Sequence, residues 1–147
     1  IDFLKEKYDA VLVGGKIANE ALDQKLDLGG KVFLPVDFSP PEEASARLDI
    51  GEKTVALFRE KIAAAGTLMW NGPLGMFERR EYAGGTKAVA EAIGENLGAY
   101  KVAGGGETIE ALKKFESFSD FDYVSMSGGA MLEFLSGREL PGVKALE

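Results

Sequence analysis

The sequence contains neither cysteine nor histidine in its 147 residues. Without Cys there is no disulfide, no thiolate nucleophile and no zinc-thiolate centre. Without His there is no Ser-His-Asp triad and no imidazole metal ligand. Any catalysis therefore rests on carboxylates, Lys, Arg, backbone amides or a hard metal ion. Basic residues are also scarce: 17 Lys and Arg stand against 24 Asp and Glu, a net charge of −7. That balance disfavours sequence-independent binding to nucleic acid, which needs clustered cations, so no nucleic-acid partner is expected. A small phosphorylated ligand stays open, because backbone N–H groups can hold it. Every apolar run falls short of the ~18 residues that span a bilayer, and no basic segment precedes an apolar one as in a secretory signal. The expected setting is cytoplasmic, with no membrane partner.

Glycine, by contrast, is abundant. Its 19 occurrences approach twice the roughly 7% share of ordinary proteins. The length suits one domain, and 46% hydrophobic residues suffice for a core that hides roughly 70% of the unfolded surface. Short apolar runs alternate with amphipathic stretches. Strands are predicted over Tyr8–Val13, Lys31–Leu34, Thr67–Trp70, Tyr100–Ala103 and Phe121–Ser125. Helices are predicted over Ile17–Leu26, Thr54–Ala65, Lys87–Asn96 with Thr86 as its cap, Thr108–Phe115 and Ala130–Leu135. Asp37–Ser45, with Pro40-Pro41, reads as an irregular loop, Asn71–Gly85 as a long loop, and Leu140-Pro141-Gly142 as the end of regular structure. Such alternation predicts an α/β fold, a parallel sheet with helices on both faces in a Rossmann-like three-layer domain.

Ligands of such sheets sit beyond the carboxyl ends of the strands. Gly14-Gly15, Asn71-Gly72-Pro73, Gly104–Gly106 and Gly128-Gly129 all fall there, which points to one crevice floored by bare backbone. In Gly104–Thr108 (GGGET) the glycines admit a ligand close to the chain, and the following helix start suits a phosphate. Glu107 would repel that phosphate unless Mg²⁺ bridged the two; the alternative is that it only complements the helix dipole. Trp70–Glu78 (WNGPLGMFE) could hold a base against Pro73 and Met76 with Glu78 on ribose hydroxyls, or be a packed surface loop. Gly128-Gly129 serves an anion or a tight helix contact equally well. GGGET lacks the third glycine of G-x-G-x-x-G, since Ile109 stands there, and no G-x-x-x-x-G-K-[ST] occurs. The chain is thus neither a standard dinucleotide fold nor a P-loop protein.

Taken together these segments resemble phosphoglycerate kinase, in particular its C-terminal nucleotide domain. Tyr8–Leu22 resembles the family's strand, glycine cluster and M-A-N-T-F-L helix. Leu34–Asp37 (LPVD) and Leu48–Thr54 (LDIGEKT) match L-P-x-D and D-I-G-P-x-T. Trp70–Glu78 matches W-N-G-P-x-G-x-F-E, Tyr82–Thr86 resembles F-A-x-G-T, and Gly104–Thr108 matches G-G-G-D-T. Ser125–Leu135 and Leu140–Leu146 match S-T-G-G-G-A-x-L-E-x-L and L-P-G-V-x-A-L. The resemblance runs nearly end to end and in order.

The resemblance implies phosphoryl transfer between 1,3-bisphosphoglycerate and Mg-ADP, giving 3-phosphoglycerate and ATP. It implies that residues 1–147 form the nucleotide-binding half, with phosphoglycerate held by a separate N-terminal domain in a monomeric parent. Carried over, Gly14 and Gly15 line an adenine pocket with Pro73 and Met76. Glu78 binds ribose, and Asn71 sits near the phosphates. Gly104, Gly105, Gly106 and Thr108 offer donors to the phosphates, and Glu107 takes the metal-binding position for Mg²⁺. Gly128 and Gly129, with Gly106, face the transferred group. Such chemistry needs positioning and charge neutralisation rather than a covalent nucleophile, in keeping with a chain that has no His or Cys.

The departures are specific. Glu107 replaces Asp, Ser127 replaces a glycine of the S-T-G-G-G loop, Lys16 stands in place of a small residue, and the Leu22–Leu34 stretch is short and lacks a helix. The phosphoglycerate domain and the first elements of the nucleotide domain are missing, so the chain is expected to be a piece of a larger enzyme and inactive alone. A non-catalytic nucleotide-binding module or decayed paralogue, motivated by Glu107 and Ser127, and a folding fragment without ligand are the alternatives.

Overall fold

A computed structural model describes residues 2–145. The elements run α1 (Asp2–Lys7), β1 (Val11–Leu12), α2 (Gly15–Asp23), β2 (Val32–Phe33), β3 (Phe38–Ser39), β4 (Asp49–Ile50) and α3 (Glu52–Ala63). They continue with β5 (Thr67–Asn71), α4 (Gly84–Glu95), β6 (Tyr100–Gly104), α5 (Gly106–Lys114), β7 (Tyr123–Ser125), α6 (Gly128–Leu135) and α7 (Pro141–Lys144). The fold is α/β. Strands β5, β6 and β7 form a parallel sheet in that order, in register Asn71↔Gly104↔Ser125 at their carboxyl ends. Strands β1 and β2 pair in parallel as a separate ribbon, Val11↔Val32. Chain connection β1-α2-β2 closes although no helix follows α2 before Val32, so the short Leu22–Leu34 stretch still completes a βαβ unit.

Alternation along β6 sets the layers. Ala103 joins Phe58 and Ile62 of α3, Val89 and Ile93 of α4, Leu112 of α5, Trp70 and Phe121 in one core. Its neighbour Gly104 faces the other way, where a methyl group would meet Met131 of α6. Helices thus cover both faces. Trp70 and Phe121 stack with ring centroids 6.1 Å apart. No helix among the described residues is long and apolar enough to cross a membrane.

Three segments differ from the sequence pattern. The expected loop Asp37–Ser45 holds strand β3, antiparallel to β4, and a 3₁₀ turn over Pro41–Ala46. Pro41 occupies the first turn, where its missing N–H costs nothing. Helix α4 begins at Gly84, two residues before Thr86. Thr86 is completely buried within it and does not cap it; its Oγ1 accepts from Leu74 N (3.1 Å) and Gly75 N (3.3 Å). Beyond Leu140, regular structure resumes as α7 rather than ending.

Two carboxylates hold helix starts from outside. Asp37 accepts from the N–H of Lys53 (3.0 Å) and Thr54 (2.8 Å) and from the Thr54 hydroxyl (2.6 Å), at the first turn of α3. Burial alone would raise its pKa, but these hydrogen bonds hold it below the usual value. Asp49, 2% exposed, accepts from Gly85 N at 2.8 Å and Ile50 N at 2.9 Å. It has no cationic partner among the described residues, and burial pushes its pKa up to about 6 against the opposing N–H bonds. Gly75 and Gly85 press on it so closely that a methyl group at either would lie 2.3–2.4 Å from Oδ1.

The raised Asp49 pKa gives the folded chain more bound protons than the unfolded chain between pH 3.8 and about 6. Stability contributed by Asp49 is therefore full below that window and lost as pH rises through it; urea titrations at several pH values should show the decline. Asp49→Asn, whose amide keeps a single acceptor oxygen, should lower stability but flatten this slope. Gly85→Ala should cost about 1–3 kcal/mol by overpacking.

Candidate functional site

The site is assembled where β5, β6 and β7 end. Gly104 leads directly into α5, and Ser125 is two residues from the cap of α6. Between the helix starts lies Asn71. A methyl group on Gly128 would stand 2.3 Å from Asn71 Oδ1 and 2.7 Å from Gly105 Cα, and one on Gly105 would stand 2.9 Å from the same Oδ1. Gly105 has φ +98°, a conformation that glycine adopts without strain. Asn71, Gly105 and Gly128 are thus packed backbone to side chain, and the first turns of α5 and α6 open side by side. Two helix N-termini present unpaired N–H groups and partial positive charge to one place, an arrangement suited to anionic oxygens.

Gly106 and Gly129 border this place with open space around them. Ser127, where a glycine was expected, caps α6: its hydroxyl accepts from Ala130 N at 3.4 Å. The substitution therefore serves the helix whose start it occupies. Glu107 is exposed in the first turn of α5. Its carboxylate makes no hydrogen bond or ion pair with the described residues, among which no group of three acidic side chains gathers.

Thr108 is completely buried. Its Oγ1 accepts from Gly72 N at 2.7 Å, so it secures the loop after β5 from within α5. Gly72 also accepts from Trp70 Nε1 at 2.7 Å through its carbonyl. Farther along, Gly15 N donates to Leu74 O at 3.2 Å, and a methyl group on Gly15 would lie 3.3 Å from Pro73 O. Gly14, Gly15 and Pro73 are thereby brought together, with Leu74 filling the space a side chain at Gly14 would need. Met76 is 41% exposed and is seated separately, through its N–H on Leu48 O at 2.8 Å. Glu78 is exposed at the far end of the loop, where Lys114 Nζ holds the carbonyls of Phe77 and Glu78. Asp49, Thr86 and Lys114 lay outside the sequence-predicted set. Their types gave no signal, since each acts on backbone groups brought close only by folding.

Comparison with known proteins decides the family. The family model described as phosphoglycerate kinase matches residues 27–138, about three quarters of the chain. The chain belongs to the phosphoglycerate kinase family. A phosphoglycerate kinase of Acidobacterium capsulatum is 36% identical over 188 aligned positions, covering 99% of this chain and 46% of the relative. Those positions exceed the chain's 147 residues, so the relative carries residues that this chain lacks. The phosphoglycerate kinase structure from Coxiella burnetii superposes with TM-score 0.83 at 33% identity, over 98% of this chain and 48% of that one. That from Pyrococcus horikoshii OT3 gives 0.79 at 30%, over 99% and 47%. The chain spans about half the length of the phosphoglycerate kinases it matches.

Thr108→Val should leave Gly72 N without its acceptor and lower stability by about 1–3 kcal/mol in urea denaturation, whereas Thr108→Ser should retain most of it.

Proposed function

We propose that this chain is the nucleotide-binding half of a phosphoglycerate kinase, its residues 1–147 corresponding to the C-terminal domain of the longer relatives. In the whole protein the reaction is phosphoryl transfer between 1,3-bisphosphoglycerate and Mg-ADP, giving 3-phosphoglycerate and ATP. The observation that carries this reading is the convergence of the α5 and α6 starts on Asn71.

In this reading the Gly106 N–H holds the nucleotide phosphates and Gly104 and Gly105 bring bare backbone against them, the Gly105 N–H itself donating to Ser125 O at 3.4 Å, with Asn71 beside them and Thr108 keeping the adjoining loop in place. Gly128 and Gly129 direct the α6 dipole at the group in transfer, with Gly106 opposite. Adenine rests against Gly14, Gly15, Pro73 and Met76, and Glu78 accepts from ribose hydroxyls. Glu107 holds Mg²⁺, which when bound supplies neutralisation of phosphate charge. These residues position and stabilise rather than form a covalent bond, as phosphoryl transfer requires. Phosphoglycerate would be held by a domain outside this chain, so the chain alone should turn over slowly or not at all. A cytoplasmic monomer without nucleic-acid or membrane partners accords with the reading.

Isothermal titration of the chain with Mg-ADP should give saturable binding with a Kd below about 1 mM, roughly −4 kcal/mol; the absence of heat at millimolar nucleotide would overturn the proposal. Glu107→Gln should abolish the dependence of that binding on Mg²⁺ and, by removing the repulsion between carboxylate and phosphates, tighten ADP binding in EDTA.

A further inference from the structure

Lys114 ends α5, and its side chain turns back over the loop that follows β5. Its Nζ donates to Phe77 O at 2.5 Å and to Glu78 O at 3.2 Å. It also lies 5.7 Å from the centroid of the Phe77 ring and 6.0 Å from that of Phe115. A lysine in a last helical turn ordinarily complements the helix dipole or the helix's own carbonyls. Here the ammonium serves two consecutive carbonyls of another segment, neither of them in a helix or strand.

Those carbonyls belong to the peptide units on either side of Glu78. Holding both fixes the planes flanking its Cα, and with them the direction in which its side chain leaves the backbone. The ammonium takes the carbonyl of Glu78 and leaves its carboxylate alone. That exposed carboxylate makes no hydrogen bond or ion pair with the described residues. Phe77, 3% exposed, anchors the same turn in a small core with Ala83, Ala111 and Phe115.

The other end of the loop is tied to the same helix, through Gly72 N on Thr108 Oγ1 at 2.7 Å. Thr108 and Lys114 are six residues apart on α5, about 9 Å at 1.5 Å per residue. One rigid helix thus sets the distance between the strand-end site at its start and the carboxylate at its finish.

We propose that Lys114 is a positioning residue that aims the Glu78 carboxylate at the ribose hydroxyls of a bound nucleoside diphosphate. The inference rests on the nucleotide reading of the site and adds to it the element that sets sugar recognition.

Titration calorimetry with Mg-ADP and with Mg-2′,3′-dideoxy-ADP tests it. The unaltered chain should prefer the ribose form about tenfold, the scale of a hydrogen bond to a charged group. Lys114→Met should bind both nucleotides equally, at the dideoxy level. Lys114→Arg, which can still donate to both carbonyls, should keep most of the preference. Glu78→Ala should lose the preference to the same extent, and the double variant should lose nothing more. A Lys114→Met chain that keeps the full preference, or that weakens on both nucleotides alike, would overturn the proposal. Equal binding of the two nucleotides by the unaltered chain would overturn the ribose role of Glu78 and this inference with it. Binding of neither nucleotide would overturn the nucleotide reading itself.

Discussion

Everything near the site depends on how the backbone of the segment after β5 is satisfied. Residues 72–79 form neither helix nor ladder, yet Leu74 and Phe77 are buried. Buried N–H groups without partners are costly, and here side chains from other elements accept from them. Thr108 serves Gly72, Thr86 serves Leu74 and Gly75, and Asp49 serves Gly85 at the next helix start. Lys114 supplies the complementary donor to two carbonyls. Among the described residues no buried side-chain N or O lacks a partner.

Glycine makes this pairing possible in a way that conformational freedom alone does not explain. Gly75 and Gly85 are glycine because the Asp49 carboxylate occupies the volume of a Cβ, and Gly128 because Asn71 and Gly105 do. A carboxylate brought so close to amide hydrogens needs no cation, although its burial raises its pKa. The same close approach of Gly105, Gly128 and Asn71 sets the starts of α5 and α6 side by side, with no Cβ between them.

Much of this was legible beforehand. Apolar runs and glycine stops located the five parallel strands and helices α2 to α6 to within a few residues, but not α1, α7 or the antiparallel pair β3 and β4, because a buried parallel strand must be apolar and must end where the chain turns. The motif segments WNGPLGMFE and GGGET identified the family and the ends of β5 and β6. Thr86 was misread as a cap, since a threonine before an apolar helix signals a start; its hydroxyl faces Leu74 and Gly75 instead, twelve and eleven residues back. Asp49 and Lys114 were invisible as site components. An acid in a short strand and a lysine in a last turn have ordinary local explanations, and only contacts across 36 or 37 residues reveal the others.

The sequence by itself determined the α/β class, the family, and the chemistry open to a chain without His or Cys, because these follow from residue types and their local order. Tertiary structure alone decided that the two helix starts share Asn71, that Thr108 faces inward to Gly72, and that α5 grips the loop at both ends. Those outcomes depend on which surfaces meet when separate segments pack, and packing brings together groups whose spacing along the chain carries no trace of their contact.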